Sequence, residues 1–228
     1  MIGIIGAMAL ETDAIIAEME QKKEKEISGI RFVEGIWQGK EVVVATCGVG
    51  KVFAALCAQT MILQYHPKLI INTGVAGTLS KDLHILDVAI AEGVVQHDMD
   101  TSPLGDPAGL LSGINKVVLP ADEKIAAAME QAAKGLSIHI ERGIIASGDQ
   151  FIAEDAQRER IRSLFGAICC EMEGGAIGHV CYINQVPFSV LRAISDGDEG
   201  DAKLDYPTFA KKAAARSVAI LKKAISAL

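Results

Sequence analysis

Basic residues form no long block in this chain, and no apolar run reaches the roughly 18 residues that a membrane-spanning helix needs. Each absence excludes something. Without a positive patch, and with a net charge of −7, the chain offers nucleic acid or an anionic membrane surface no complementary face. The short apolar runs predict no transmembrane helix, and the opening Ile2 to Ala7 is strand-like rather than a charged leader, so no signal peptide is expected. The five cysteines (Cys47, Cys57, Cys169, Cys170 and Cys181) are odd in number, lack paired C-x-x-C spacing and lie in apolar surroundings. They read as small buried residues in a reducing cytosol, not as a disulfide framework. Internal repeats, low-complexity tracts and linkers are also missing, so 228 residues are expected to form one α/β domain over 1–228. Apolar character, by contrast, is plentiful: half of the residues are hydrophobic and the mean hydropathy is +0.29. That is high for a small monomer, and a buried subunit interface would absorb the surplus. A homo-oligomer is expected.

Hydrophobic periodicity alternates between strand and helix from the start. Ile2 to Ala7 reads as a strand and Ala9 to Glu20 as a helix, with the charged run Lys22 to Glu26 as its solvated end. Arg31 to Trp37 and Glu41 to Thr46 flank Gln38-Gly39-Lys40, a hairpin signal. Gly48 and Gly50 punctuate the entry to a helix over Val52 to Tyr65, followed by strands at Leu69 to Asn72 and Asp87 to Gln96. Residues 98 to 113 are loop-like, rich in proline and glycine. A helix is predicted from Pro120 to about Lys134, a strand over Ser137 to Ala146 and a helix over Glu154 to Leu164. Short strands at Ile168 to Cys170 and Val186 to Leu191 precede a closing helix over Tyr206 to Ala227. Such alternation implies a mostly parallel or mixed sheet with helices on both faces.

Two of these strands run into acids. Ile168-Cys169-Cys170 gives way to Glu171-Met172-Glu173, and Val186 to Leu191 leads to Arg192 and the pair Ser195-Asp196. Acids at strand ends sit at the edge where α/β folds bind ligands. If 171–173 is extended, both glutamates face one way and Met172 the other. A carboxylate offers two acceptor oxygens, which suits a vicinal diol. Asp196, if buried, keeps its proton near neutral pH and could donate it to a leaving group. In isolation it also fits a turn or cap aspartate after Ser195. Arg192 either orients a reactant or forms a structural ion pair. Glu11, near the start of the first helix, equally suits the helix dipole. Asn72-Thr73-Gly74-Val75-Ala76-Gly77 lets backbone approach a sugar or cradles an anion, or is simply a tight turn. Phe151, after Ser147-Gly148-Asp149, suits stacking on a flat base or ordinary core packing. His97-Asp98-Met99-Asp100 has metal-ligand character, but no second cluster completes it, so no metal or other cofactor is assigned.

Together with Gly3-Ile4-Ile5-Gly6-Ala7-Met8-Ala9-Leu10-Glu11 and Ser147-Gly148-Asp149-Gln150-Phe151-Ile152, these motifs resemble those of the bacterial methylthioadenosine/S-adenosylhomocysteine nucleosidases, in order from residue 1 to the last helix. That family belongs to the purine nucleoside phosphorylase-like superfamily. The resemblance implies a three-layer α/β/α sandwich around a mixed, mostly parallel sheet. It also implies Glu11 as the base that activates water, Asp196 as the acid, and Glu173 as the residue that grips the ribose hydroxyls. Met8 would touch the ribose, Phe151 would stack on adenine and the main chain of Ile152 would read its edge. Val75, Ala76, Gly77, Glu171, Met172, Arg192 and Ser195 would complete the pocket. Tyr206 would lie near the 5′ tail, and Leu104 would reach that tail from a neighbouring subunit. Many family members carry serine where Val75 stands.

The remaining question is water against phosphate. A phosphate nucleophile needs cations near the anomeric carbon, yet Glu11 would occupy that neighbourhood and the first arginine in the chain is Arg31. Water is favoured. The resemblance then implies cleavage of methylthioadenosine, S-adenosylhomocysteine and 5′-deoxyadenosine by a cytoplasmic homodimer, with aminodeoxyfutalosine cleavage and phosphate-dependent phosphorolysis as alternatives.

Overall fold

Alternate residues of the first strand point into different cores, and this period of two organises the whole molecule. The computed structural model describes residues 1–197 and 206–228, the side chain of Tyr206 excepted. In β1 (Ile2–Gly6), Ile2 and Ile4 pack on one side of the sheet while Ile5 packs on the other. The first side is covered by α1 (Ala9–Glu18), α3 (Glu123–Lys134) and α6 (Tyr206–Ala224), which contribute Ile15, Met129 and Leu221. The second is covered by α2 (Lys51–Tyr65) and α5 (Gly174–Asn184), through Cys57, Met61, Ile177 and Cys181. The remaining helix, α4 (Asp155–Phe165), closes a satellite core around Ile161 and Ala146. The result is the expected three-layer α/β/α arrangement. Burying one such isoleucine contributes about 1.5–3 kcal/mol, so both faces add to stability.

The sheet explains where the site falls. Strand β1 runs parallel to β4 (Lys40–Thr46) on one side and to β5 (Leu69–Thr78) on the other. Outward from β4 the sheet ends in antiparallel β3 (Ile30–Trp37) and the edge strand β2 (Glu20–Ile27). On the far side of β5 lie β6 (Val88–Gln96), the two-residue β7 (Leu119–Pro120), β8 (Ile140–Ser147), β9 (Ala167–Glu171) and β10 (Phe188–Asp196). Strand β10 pairs with β5 and β6, β6 with β8, and β8 with β9. Strand β9 then returns to β5 through Gly77↔Cys170 and Thr78↔Cys169. Five strands thus close on themselves, and the last residues of β5, β9 and β10 meet at one rim.

Several boundaries differ from expectation. The run Lys22 to Glu26 is strand β2, not the end of a helix. Helix α1 stops at Glu18, and Ser28-Gly29, with φ of 54° and 73°, forms a tight hairpin that pairs Ile27 with Ile30. Both residues need positive φ in a turn of this hand. Strand β5 continues beyond Asn72 through the glycine run to Thr78, and β10 continues beyond Leu191 to Asp196. The tight turns expected after these strands are therefore ladder positions. Ser137, at φ 55°, belongs to the turn that ends α3, which delays β8 to Ile140. Among the described residues, no helix is long and apolar enough to cross a membrane.

Candidate active site

Glu11 sits at the third position of α1 and turns back on its own helix: Oε2 accepts from the amides of Ala7 at 2.7 Å and Met8 at 3.0 Å. This is the cap that its position favours. Its other oxygen accepts from the Val75 amide of β5 at 3.1 Å, which ties helix to sheet. Burial pushes the Glu11 carboxyl above its ordinary range, against the pull of Arg192 and the three amides. The glycine run makes the approach possible. A β-carbon on Gly74 would stand 2.5 Å from Glu11 Oε1, and one on Gly77 2.7 Å from Asp196 Oδ2. These glycines make room for protein carboxylates; no anion cradle is formed.

Asp196 is the last residue of β10, a ladder residue instead of a turn or cap. Its Oδ1 accepts from the Ser195 hydroxyl at 2.8 Å, while Oδ2 lies over Gly77. Burial raises its pKa, and Ser195 and then Arg158 only partly oppose that. Glu173 stands at the N-cap position of α5 without a side-chain cap bond, and its Oε1 accepts instead from the Gly50 amide at 2.8 Å. Burial, and then repulsion from Glu171, push its carboxyl up to about 7, although Arg192 lies 3.8 Å away.

Glu171 behaves differently. Its oxygens take hydrogen bonds from the Ser147 hydroxyl, from two nitrogens of Arg192, and from the amides of Glu173 at 3.1 Å and Gly174 at 2.7 Å. Burial alone would raise its pKa, but Arg192 and these donors hold it below the ordinary value. Arg192 is itself buried and also donates to Asn72 Oδ1 and the Leu191 carbonyl. It is a structural cation behind the wall and does not border the cavity. The two glutamates of 171–173 do not share one strand face, because β9 ends at Glu171 and α5 begins immediately after Glu173.

Glu11, Glu173 and Asp196 border one cavity of about 170 Å³, with Met8, Val75, Ala76, Gly77, Glu171, Met172 and Ser195. Phe151, 60% exposed, and Val49, 49% exposed, form its rim. Larger clefts occur elsewhere, such as one of about 710 Å³ beside α5, but Asp122 is the single acid lining it and none of these carboxyls converge there. A pocket with several acids pushed toward the protonated form, and apolar walls beside them, can deliver a proton to a leaving group and accept another from water.

The description of the Phosphorylase superfamily matches residues 1–226. The 5′-methylthioadenosine/S-adenosylhomocysteine nucleosidase of Shewanella pealeana is 37% identical over 213 residues, covering 93% of each chain. This chain belongs to that nucleosidase family. The Neisseria meningitidis nucleosidase, solved in complex with methylthio-immucillin-A, has a TM-score of 0.94 at 31% identity, over 100% of this chain and 99% of that one. A futalosine hydrolase of Helicobacter pylori has the same TM-score of 0.94 at 35% identity, covering 100% and 97%.

Against this family background, the remaining expected nucleosidase residues divide. Ile152 is buried with Leu79, Cys170 and Ile161, so its side chain packs in the satellite core and does not line the cavity. Leu104 is 84% exposed in a short 3-10 turn, outside the cavity wall. Tyr206 opens α6, with its side chain outside the described residues. Asp98, taken for metal-ligand character, accepts instead from Lys51 Nζ at 2.6 Å and the Asp149 amide at 2.9 Å. Among the described residues no cluster of three His, Cys, Asp or Glu is arranged to hold a metal. Sequence reasoning missed Val49 and Cys170 in the wall, Gly50 as a donor, and Asn72 and Ser147 behind it. Gly50 had a signal, since glycine before a helix marks an amide free of its own side chain.

Proposed function

We propose that the protein hydrolyses the N-glycosidic bond of 5′-methylthioadenosine, S-adenosylhomocysteine and related 5′-modified adenosines, and so serves methionine salvage in the cytoplasm. Asp196 Oδ2 gives its proton to the Hoogsteen-edge nitrogen of adenine. The bond from the base to the anomeric carbon then breaks with its electron pair on the base. Glu173 accepts from the ribose hydroxyls and stabilises the cationic sugar. Water adds to the anomeric carbon and its proton passes to Glu11, so adenine and the modified ribose leave. Separate acid and base carboxyls of this kind are the pattern of glycoside hydrolysis.

The observation that carries water over phosphate is the cavity wall: among its described residues none is basic, and it holds four carboxyls. A phosphate dianion there would meet like charges in a low-dielectric cleft. Two buried cations stand outside the wall: Arg192 is held by Glu171 and Asn72, and Arg158 of α4 acts on Asp196 without lining the cavity. The test is adenine release from methylthioadenosine in phosphate-free buffer. Release is expected; release only after phosphate is added would make the protein a phosphorylase.

The likeness to a futalosine hydrolase favours a second substrate, aminodeoxyfutalosine, for the same chemistry. A panel of adenosines with varied 5′ groups ranks the two. The protein is further proposed to be a homodimer in which the loop carrying Leu104 borders the neighbour's 5′-tail region. Supporting this is the outward face of α2, where Val52, Phe53, Leu56 and Leu63 are exposed beside the rim residue Val49.

A further inference from the structure

Glu173 must present an ionised carboxylate to the sugar at a fixed angle, yet among the described residues one hydrogen bond secures it, the 2.8 Å bond from the Gly50 amide. Gly50 cannot fix that amide by itself. It has no side chain, and at φ 100° it lies in a region only glycine enters without strain. The next residue does the fixing. Lys51 donates its main-chain N–H to Asp149 Oδ1 at 2.8 Å, and its Nζ to Asp98 Oδ1 at 2.6 Å and Gln96 Oε1 at 3.1 Å. The Asp149 amide returns to Asp98 Oδ2 at 2.9 Å, closing a ring between the ends of β6 and β8 and the start of α2. A partly exposed ion pair such as Lys51–Asp98 adds little to stability. Its geometry is nevertheless specific: the ring aims the Gly50 amide inward and anchors the turn two residues before Phe151.

We propose that Lys51, Asp98 and Asp149 are positioning residues for the reaction, holding the Gly50 amide on Glu173 and so setting the sugar clamp from outside the cavity. The inference rests on the reading of Glu173 as that clamp. The groups facing Glu173 are Glu171 and Arg192 from β9 and β10, Glu11 from α1 and the Gly50 amide from the start of α2. Loss of the amide removes a donor to the charged form, so the carboxyl becomes harder to ionise.

Steady-state kinetics on methylthioadenosine across the titration of Glu173, with the wild type, Asp149→Ala, Asp149→Asn and Glu173→Gln, test this. Asp149→Ala is expected to lose about tenfold or more in kcat with KM changed much less, as small misplacements of a reacting group do. Its acid-side limb of kcat/KM should move to higher pH. Asp149→Asn keeps an acceptor for the Lys51 amide and should recover most of kcat. An unmoved limb with unchanged kcat, a fall in melting temperature alone, or no rescue by asparagine would overturn the proposal. If Asp149→Ala does not fold, Asp98→Asn and Lys51→Met at the partly exposed end of the ring take its place, with the same shift expected and the same failure decisive. A wild type that releases no adenine, or a fully active Glu173→Gln, would instead overturn the underlying reading, so the two failures are distinguishable.

Discussion

Four carboxyls border one cavity, and each has a different set of partners. Asp196 has one oxygen bonded to Ser195 and the other over Gly77, without a hydrogen-bond partner among the described residues, with burial favouring the protonated form. An asparagine there keeps the shape and the bond from Ser195 but has no proton to give. Asp196→Asn is therefore expected to cut kcat by about 10²–10⁴-fold, the usual worth of a general acid, with substrate binding by calorimetry largely intact. An undiminished rate would remove Asp196 from the mechanism. Glu173 leads to a pH prediction. Its folded pKa is raised to about 7, and in the proposed mechanism it has to be ionised to accept from both ribose hydroxyls. Activity should therefore fall as pH drops through about 7, because protonation removes an acceptor, and the limb should appear in kcat/KM, which reports the free protein. A flat profile through that range in the wild type would contradict the assignment. The sequence made Asp196 and Glu173 legible because each stands where an apolar run ends in acid. It did not separate Glu171 from Glu173, since their difference lies in contacts with Ser147, Gly50 and Arg192, all remote along the chain.

At the level of elements, β5 does more than its apolar half announces. Leu69 to Asn72 reads as a buried strand, and the glycines after it read as a turn, but the ladder continues because β10 and β9 pair with Gly74 and Gly77. Neither glycine has positive φ, so backbone conformation does not require them; close approach of the carboxyls does. Gly77→Ala should then fit the strand and leave melting temperature within a few degrees, while pressing on Asp196 Oδ2, which stands 2.7 Å from the new methyl. We expect kcat to fall by about tenfold or more, the scale of a misplaced reacting group, and circular dichroism melts with parallel kinetics check both halves. Equal activity would mean that Asp196 relaxes freely. The misread of Lys22 to Glu26 has a related cause. Charge patterning marks a solvated segment without fixing its period, and the hairpin is specified by two residues, Ser28 and Gly29, that lie outside the charged run. The two cores were legible because Ile2, Ile4 and Ile5 alternate as a strand buried on both faces must.

For the whole molecule, the high apolar content divides between the interior and one outer face. The free edge of the sheet, β2, is exposed and charged over Glu20–Glu26, with Arg31 of β3 paired to Glu24 at 2.8 Å, so edge-to-edge pairing with a second copy is disfavoured. The outer surface of α2 is the opposite, with Val52 at 78% and Leu63 at 60% exposure. Association through α2 would cover apolar surface and bring the neighbour against the rim formed by Val49, immediately before the Gly50 amide that holds Glu173. Phe53→Asp places a charge in the centre of that face. Analytical ultracentrifugation is expected to show a dimer for the wild type and a monomer for this variant. Far-UV circular dichroism should stay close to that of the wild type because Phe53 is half exposed in the single subunit. Catalytic efficiency on substrates with a 5′ tail should fall in the monomer and recover partly at high protein concentration, as mass action requires. A wild type that sediments as a monomer at every concentration would leave the apolar face of α2 without its partner and the tail region to a single subunit.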